Sequence, residues 1–182
     1  MKMIVNREPI GTGDPFKLAD VQEGLRAGDP EFASEVHRIA RAAALDVEGF
    51  MQIALLTQTI RVMIFDPVQQ YSTRLPIGPV AQDDVPTVTI DGDAFTDFEF
   101  EGGNRPSIRW LAPYYELTPT RMLITYIAGF GGTADSIPHD LARALIDQAA
   151  LIFDGRSPMD GKSLTSSPHL ARIGARYRGV GL

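Results

Sequence analysis

Residues 121–155, RMLITYIAGFGGTADSIPHDLARALIDQAALIFDG, decide the fold class. Met122, Ile124 and Tyr126 alternate with Leu123, Thr125 and Ile127, a period of two rich in β-branched and aromatic residues, which predicts a strand. Gly129, Gly131 and Gly132 then break it, at a point where backbone angles costly to other residues are needed. Pro138 suits the first turn of a helix, where its missing N–H is no loss. Leu141, Leu145 and Ile152, with Ala142 and Ala149, give that helix an apolar face over residues 138–154, and Gly155 is a natural stop. A strand, a glycine hinge and a helix follow one another with no catalytic group at the joints. The module is built for packing.

Upstream, the period changes twice. Residues 1–15 read as an extended lead-in, because Pro9, Gly11, Gly13 and Pro15 oppose regular structure. A short helix is predicted over residues 16–27, with Leu18, Val21 and Leu25 inward. Asp29 and Pro30 then supply an N-cap and a first residue for a second helix over residues 31–54. Its face is Phe32, Val36, Ile39, Ala43, Val47, Phe50 and Ala54, at spacings of three and four. Strands fall within residues 56–127. One covers 57–65, a proline-rich extended path covers 74–80, and 85–90 and 94–100 form a hairpin about Asp91-Gly92, followed by 107–111. The expected class is α+β: a small bundle of three main helices packed with an antiparallel sheet and hairpin insertion. Residues 1–155 form one domain, and 156–182, rich in Ser, Pro and Gly at their start, form a flexible C-terminal tail.

Composition excludes several classes. No apolar run approaches the length of a membrane span, and the first residues lack the apolar core of a signal peptide, so cytoplasmic synthesis is expected. Zero cysteines leave no disulfide framework, thiolate ligand or thiol nucleophile. The net charge of −6 is unevenly spread: residues 156–182 carry +4 and the preceding 155 carry −10. An acidic body argues against general affinity for nucleic acid, which needs a basic face to neutralise phosphates.

Candidate chemistry fails on spacing. Gly161-Lys162-Ser163 matches the end of a phosphate-binding loop, but the position that needs the first glycine holds Arg156. Asp91, Asp93, Asp97, Glu99 and Glu101 lack the spacing of a calcium loop and read as solvated charges on a hairpin. His37, His139 and His169 lie on three different elements, unlike the clustered ligands of a zinc site. Gly129–Gly132 do not open a helix N-terminus as anion binding requires. Trp110, Tyr114 and Tyr115 read either as a binding platform or, preferably, as a core cluster at the sheet edge. No catalytic, cofactor or metal residues are expected, and the chain reads as a non-enzyme. The C-terminal stretch differs. Arg172, Arg176 and Arg178 alternate with Ile173 and Tyr177, flanked by Leu170, Val180 and Leu182, a composition typical of interface anchors. It reads as a peptide that orders on a partner, the alternative being a solvated basic tail.

The layout as a whole resembles the head–tail connector, or adaptor, proteins of long-tailed bacteriophages and gene transfer agents. The similarity covers residues 14–182 and rests on EFASEVHRIARAAALDVEGFMQIAL, on the shortened strand entry Leu56-Thr57-Gln58-Thr59, on RLPIGPV, and on ITYIAGFG followed by IPHDLARALIDQAALIF. It implies a structural virion protein at the head–tail junction. Members form a ring, usually of twelve subunits, that binds the portal protein on one side and a stopper, head-closure or tail-completion protein on the other. DNA passes through the lumen without sequence-specific binding, and no cofactor is used. The resemblance assigns portal docking to the segment matching Leu170, Arg172, Ile173, Arg176, Tyr177, Arg178, Val180 and Leu182. A stopper or tail terminator is the alternative within the same class of neck proteins. The abrupt stop at Gly155-Arg156-Ser157-Pro158 departs from relatives whose third helix continues.

Overall fold

The computed structural model describes residues 1–155 and 166–177. Contacts group the chain into two units, Met1–Gly11 with Thr57–Gly129, and Thr12–Leu56 with Phe130–Leu182. Both are discontinuous in sequence, so no shift in composition marks the boundary as a linker would.

Among the described residues the first unit contains β1 (Lys2–Pro9), β2 (Gln58–Phe65), β3 (Ser72–Arg74), β4 (Thr87–Ile90), β5 (Asp93–Phe95), β6 (Phe98–Glu101), β7 (Ser107–Trp110) and β8 (Arg121–Ala128). They make an antiparallel sheet in the order β1-β2-β8-β4-β5 and a second in the order β3-β7-β6. The period-two reading of β8 sets the register. Ile60, Val62 and Ile64 of β2 lie opposite Tyr126, Ile124 and Met122, and Val88 and Ile90 of β4 lie opposite Ile124 and Met122. All eight are buried. A slip of one residue would turn every one of them to solvent, so the pairing has no competitor. The buried Tyr126 hydroxyl accepts a hydrogen bond from the Ile77 N–H at 3.2 Å, which fixes the path of the proline-rich segment beneath it. Leu75, Ile77 and Val80 of that segment are buried.

Asp91 and Gly92 form the expected tight turn. Their φ angles are 53° and 107°, and Ile90 pairs with Asp93, as a two-residue turn with positive φ at both positions requires. Two expectations are corrected. Residues 94–100 are two strands, not one: β5 pairs with β4, the Phe98 N–H donates to the Thr96 carbonyl at 2.9 Å, and β6 pairs with β7. In one continuous strand Phe95 and Phe98 would face opposite sides. The bend at Thr96-Asp97 lets both reach Trp110, at ring-centroid distances of 6.0 and 6.1 Å. Residues 1–15 are also not all lead-in, because β1 pairs with β2 over eight positions. Its Pro9 stands at the end, and the exposure of both faces of this edge strand hides it from a pattern search.

The second unit is helical, with α1 (Leu18–Leu25), α2 (Ala33–Met51), α3 (His139–Asp154) and α4 (Pro168–Tyr177) among the described residues. Asp29 accepts a hydrogen bond from the Glu31 N–H at 3.0 Å and caps a 3-10 turn, Pro30–Phe32, that leads into α2. The predicted face is buried at Val36, Ile39, Ala43 and Val47, whereas Phe32, on the entry turn, is exposed. These residues pack with Val21, Met51, Leu141, Ala144, Leu145 and Ala149. Three alanines of α2, Ala40, Ala43 and Ala44, keep its inner face thin. The protein is thus α+β, with antiparallel sheets and four helices described. No described helix is long and apolar enough to cross a membrane.

Candidate functional site: the C-terminal helix and the acidic hairpin

Ser167 opens α4. Its hydroxyl accepts the Leu170 N–H at 3.1 Å, and Pro168 follows as the first helical residue. The Ser167 N–H donates in turn to the Gln148 side-chain oxygen at 2.9 Å, while the Gln148 amide nitrogen donates to Asp46 at 2.9 Å. Gln148 is fully buried. One side-chain amide therefore joins α2, α3 and the start of α4. Along the same helix pair, His169 Nδ1 lies 2.6 Å from Asp147, which also holds Arg143 at 3.0 Å. At the far end the Tyr177 hydroxyl donates to Asp140 at 3.2 Å, with Arg176 3.5 Å from the same carboxylate. Burial, and then the adjacent Asp140 charge, push the Tyr177 phenol above its ordinary value.

Between these polar ends the contact is apolar and close. Leu170 and Ile173 are core residues of the helical unit, 1 % and 0 % exposed. Gly174 lies against Phe50 so tightly that a β-carbon there would run into the ring. Of the expected C-terminal tail, residues 156–182, the structure describes 166–177. Residues 168–177 are helical, and Leu170, Ile173 and Tyr177 form the inner face, leaving Arg172 and Arg176 outward. The signal was present in the sequence: Leu170, Ile173 and Tyr177 recur at spacings of three and four behind a Ser-Pro start. Arg178, Val180 and Leu182 lie outside the described residues, as do Arg156 and Gly161-Lys162-Ser163.

The other sequence candidates find ordinary partners. Trp110 and Tyr114 stack at 4.5 Å in the core, and the Trp110 indole N–H donates to Thr73 at 2.8 Å, so they form the core cluster and not an open platform. Tyr115 packs edge-on against Tyr114. His37 lies 2.7 Å from Asp14, which also holds Arg41 at 2.8 Å. No group of three or more His, Cys, Asp or Glu side chains among the described residues is placed to hold a metal ion. The hairpin acids divide into three kinds. Asp93 and Asp97 are solvent-exposed, whereas Glu99 pairs with Arg109 at 2.7 Å and Glu101 accepts a hydrogen bond from Ser107 at 3.3 Å. Asp91 is structural: its carboxylate accepts the Thr120 hydroxyl at 2.6 Å and the Arg121 N–H at 2.8 Å, tying the turn to the start of β8.

Comparison with known proteins gives a consistent fold. No protein-family model matches the sequence, and no curated protein matches it. Among solved structures, the chain is similar to one in the neck of an empty gene transfer agent (GTA) particle computed with C6 symmetry, at 23 % identity and a TM-score of 0.75. The match covers 98 % of this chain and 97 % of that one. A chain in the virion of a native GTA particle is similar at 24 % identity and a TM-score of 0.72, covering 97 % and 96 %. A third, in the neck of a native GTA particle computed with C12 symmetry, is similar at 22 % identity and 0.71, covering 98 % and 97 %. At these identities the likeness is one of fold, and it runs the length of both chains.

Proposed function

We propose that this chain is a non-enzymatic structural subunit of the neck of a gene transfer agent or related phage-like particle. It forms a ring between the portal protein and the tail, and serves as head–tail adaptor and DNA conduit. The observation that carries this reading is the end-to-end match, at a TM-score of 0.75, to a chain of a GTA neck. The C12 symmetry of a third similar structure supports a ring of twelve. Ring subunits pack head to tail, so each presents two different faces. The portal contact is assigned to the C-terminal segment. Arg172 and Arg176 supply the outward face of α4, Leu170, Ile173 and Tyr177 hold the helix in place, and Arg178, Val180 and Leu182 follow it in the sequence. The tail-side neighbour is a stopper, head-closure or tail-completion protein, and the chain, made in the bacterial cytoplasm, ends up in the virion.

Mixing the purified full chain with isolated portal and, separately, with tail tubes tests the assignment. Co-sedimentation with the portal, with rings visible by negative-stain microscopy, is the expected result. Binding to tail tubes and not to the portal would assign the chain to tail completion, and binding to neither would remove the neck reading.

A further inference from the structure

A solvated face of an antiparallel sheet is ordinarily polar. The five-stranded sheet departs from that rule. Behind the buried Ile60, Val62 and Ile64, β2 presents Thr59, Arg61, Met63 and Phe65 on the other face, and β8 presents Arg121, Leu123, Thr125 and Ile127. The register gathers these side chains into rows. One row crosses all five strands as Ile4, Met63, Leu123, Thr89 and Ala94, and the next holds Lys2, Phe65 and Arg121. Ile4 and Ile127 are 46 % and 42 % exposed, and Met63, Phe65 and Leu123 are half-buried. An apolar row of this kind, rimmed by charge, marks an interaction surface. Its rim is basic although the body is acidic. Arg61 is paired with Glu8 at 3.2 Å, and Asp91, whose charge Arg121 also meets, commits its carboxylate to the Thr120 hydroxyl and the Arg121 N–H. Lys2 and Arg121 therefore favour an occupant that is both apolar and acidic.

The same chain carries such a group. Phe32 continues the helical spacing of the inner face of α2, yet it is 43 % exposed and is absent from the side chains packed on the helical core. Asp29, Pro30 and Glu31 before it are exposed too, on the 3-10 turn that the Asp29 carboxylate caps. An aromatic ring is thus held out to solvent beside two acids. We propose that the Phe32 turn of a second copy of this chain seats on the outer face of the sheet, with the ring on the Ile4–Met63–Leu123 row and Glu31 against Lys2 and Arg121. Aromatic anchors flanked by complementary charge are the usual centre of such contacts. Turn and face belong to different units of the chain, so the contact joins two unlike surfaces, as a head-to-tail ring requires. It rests on the ring reading above and supplies the interface between neighbours. Two other exposed apolar groups fit less well. Leu45 shares its side of α2 with Arg38, a cation that the basic rim would repel. Val85 stands two residues before Thr87, itself on the receiving face, and so lies beside that face and not away from it.

The chain contains no cysteine, so single introduced thiols report the contact. Phe32→Cys and Met63→Cys proteins, mixed and treated with a short bismaleimide with and without isolated portal, should give a covalent dimer, and neither should do so alone. A chain carrying both substitutions should give a ladder of multiples of 19.9 kDa. Glu31→Lys placed beside Phe32→Cys should lower the dimer yield several-fold, more at low salt than at high, and Lys2→Glu placed beside Met63→Cys should restore it. Phe32→Ser in the otherwise unmodified chain, a change at an exposed position, should keep the melt near that of the parent and prevent rings on the portal. Dimers from Phe32→Cys alone or Met63→Cys alone would overturn the proposal, as would a yield indifferent to Glu31→Lys. Higher yields when Leu45→Cys or Val85→Cys replaces Phe32→Cys would also overturn it, by seating another group on the sheet. Rings formed on the portal by the Phe32→Ser chain would remove this contact and leave the neck reading standing. A cross-link retained without portal, in a chain that binds no portal, would do the reverse.

Discussion

Asp91 sits at φ 53° in the hairpin turn, and its carboxylate gathers the Thr120 hydroxyl, then the Arg121 and Thr120 N–H groups. Those hydrogen bonds, the Thr120 hydroxyl first, hold its pKa below the ordinary aspartate range. Asp14 shifts the same way: burial raises it, but hydrogen bonds from His37 and Arg41 lower it by more. A carboxylate depressed in the folded state adds stability that is complete above its unfolded value of about 3.9 and is lost as pH falls through the folded value. Both groups therefore favour the folded chain at neutral pH and cease to do so in acid. Asn tolerates the left-handed backbone at position 91, so Asp91→Asn isolates the charge. The variant should melt lower than the parent at pH 7, and the gap should narrow as the pH falls from about 3.9 toward the lower folded value. An equal gap at every pH, measured by circular dichroism, would assign the effect to geometry instead of charge.

Among the elements, α4 changes what a truncation means. Ending the chain after Ser167 removes Leu170 and Ile173 from the helical core and takes away His169 from Asp147 and Tyr177 from Asp140. Burying such an apolar side chain contributes about 1.5–3 kcal/mol, so this truncation should lower the melting temperature markedly. Ending it after Tyr177 keeps the helix and removes Arg178, Val180 and Leu182, and should leave the melt unchanged while abolishing portal co-sedimentation. Full portal binding by the shorter cut would remove the terminal residues from the docking role. Legibility in the sequence followed the strength of period. α2, α3 and β8 each carry a face of four or more alternating or helically spaced apolar residues and β2 a face of three β-branched ones, Ile60, Val62 and Ile64, and the sequence places all four within a few positions. β1 has no buried face, so pairing alone defines it, and pairing is not local information. The break at Thr96-Asp97 depends on Trp110, more than a dozen residues downstream. α4 has only three apolar positions, and the arginines between them made an inner face look like a docking peptide. The outward Arg172 and Arg176 were read as candidates, whereas Gln148, which ties the helix down, carries no motif at all.

At the scale of the whole molecule, the charge of −10 over the first 155 residues suits the conduit proposed above, whose wall should repel DNA instead of gripping it. A basic lumen would bind phosphates with high, salt-dependent affinity and stall passage. The hairpin concentrates these acids, and the structure separates those that can be neutralised cleanly from those that cannot. Asp91 holds the turn and Glu99 pairs with Arg109, so altering either would confound charge with folding. Asp93 and Asp97 are exposed and on the acidic edge. Asp93→Asn with Asp97→Asn should leave the melting temperature within about 2–4 °C of the parent, since surface changes of this kind each stay within about 0.5 kcal/mol. Rings should still assemble, and DNA delivery by particles carrying the variant should fall several-fold. Further replacement of both residues by Lys should deepen the defect, because the sign of the wall then reverses. Unchanged delivery by the Asn variant together with unchanged delivery by the Lys variant would place these acids away from the DNA path and move the repulsive wall to another part of the acidic body.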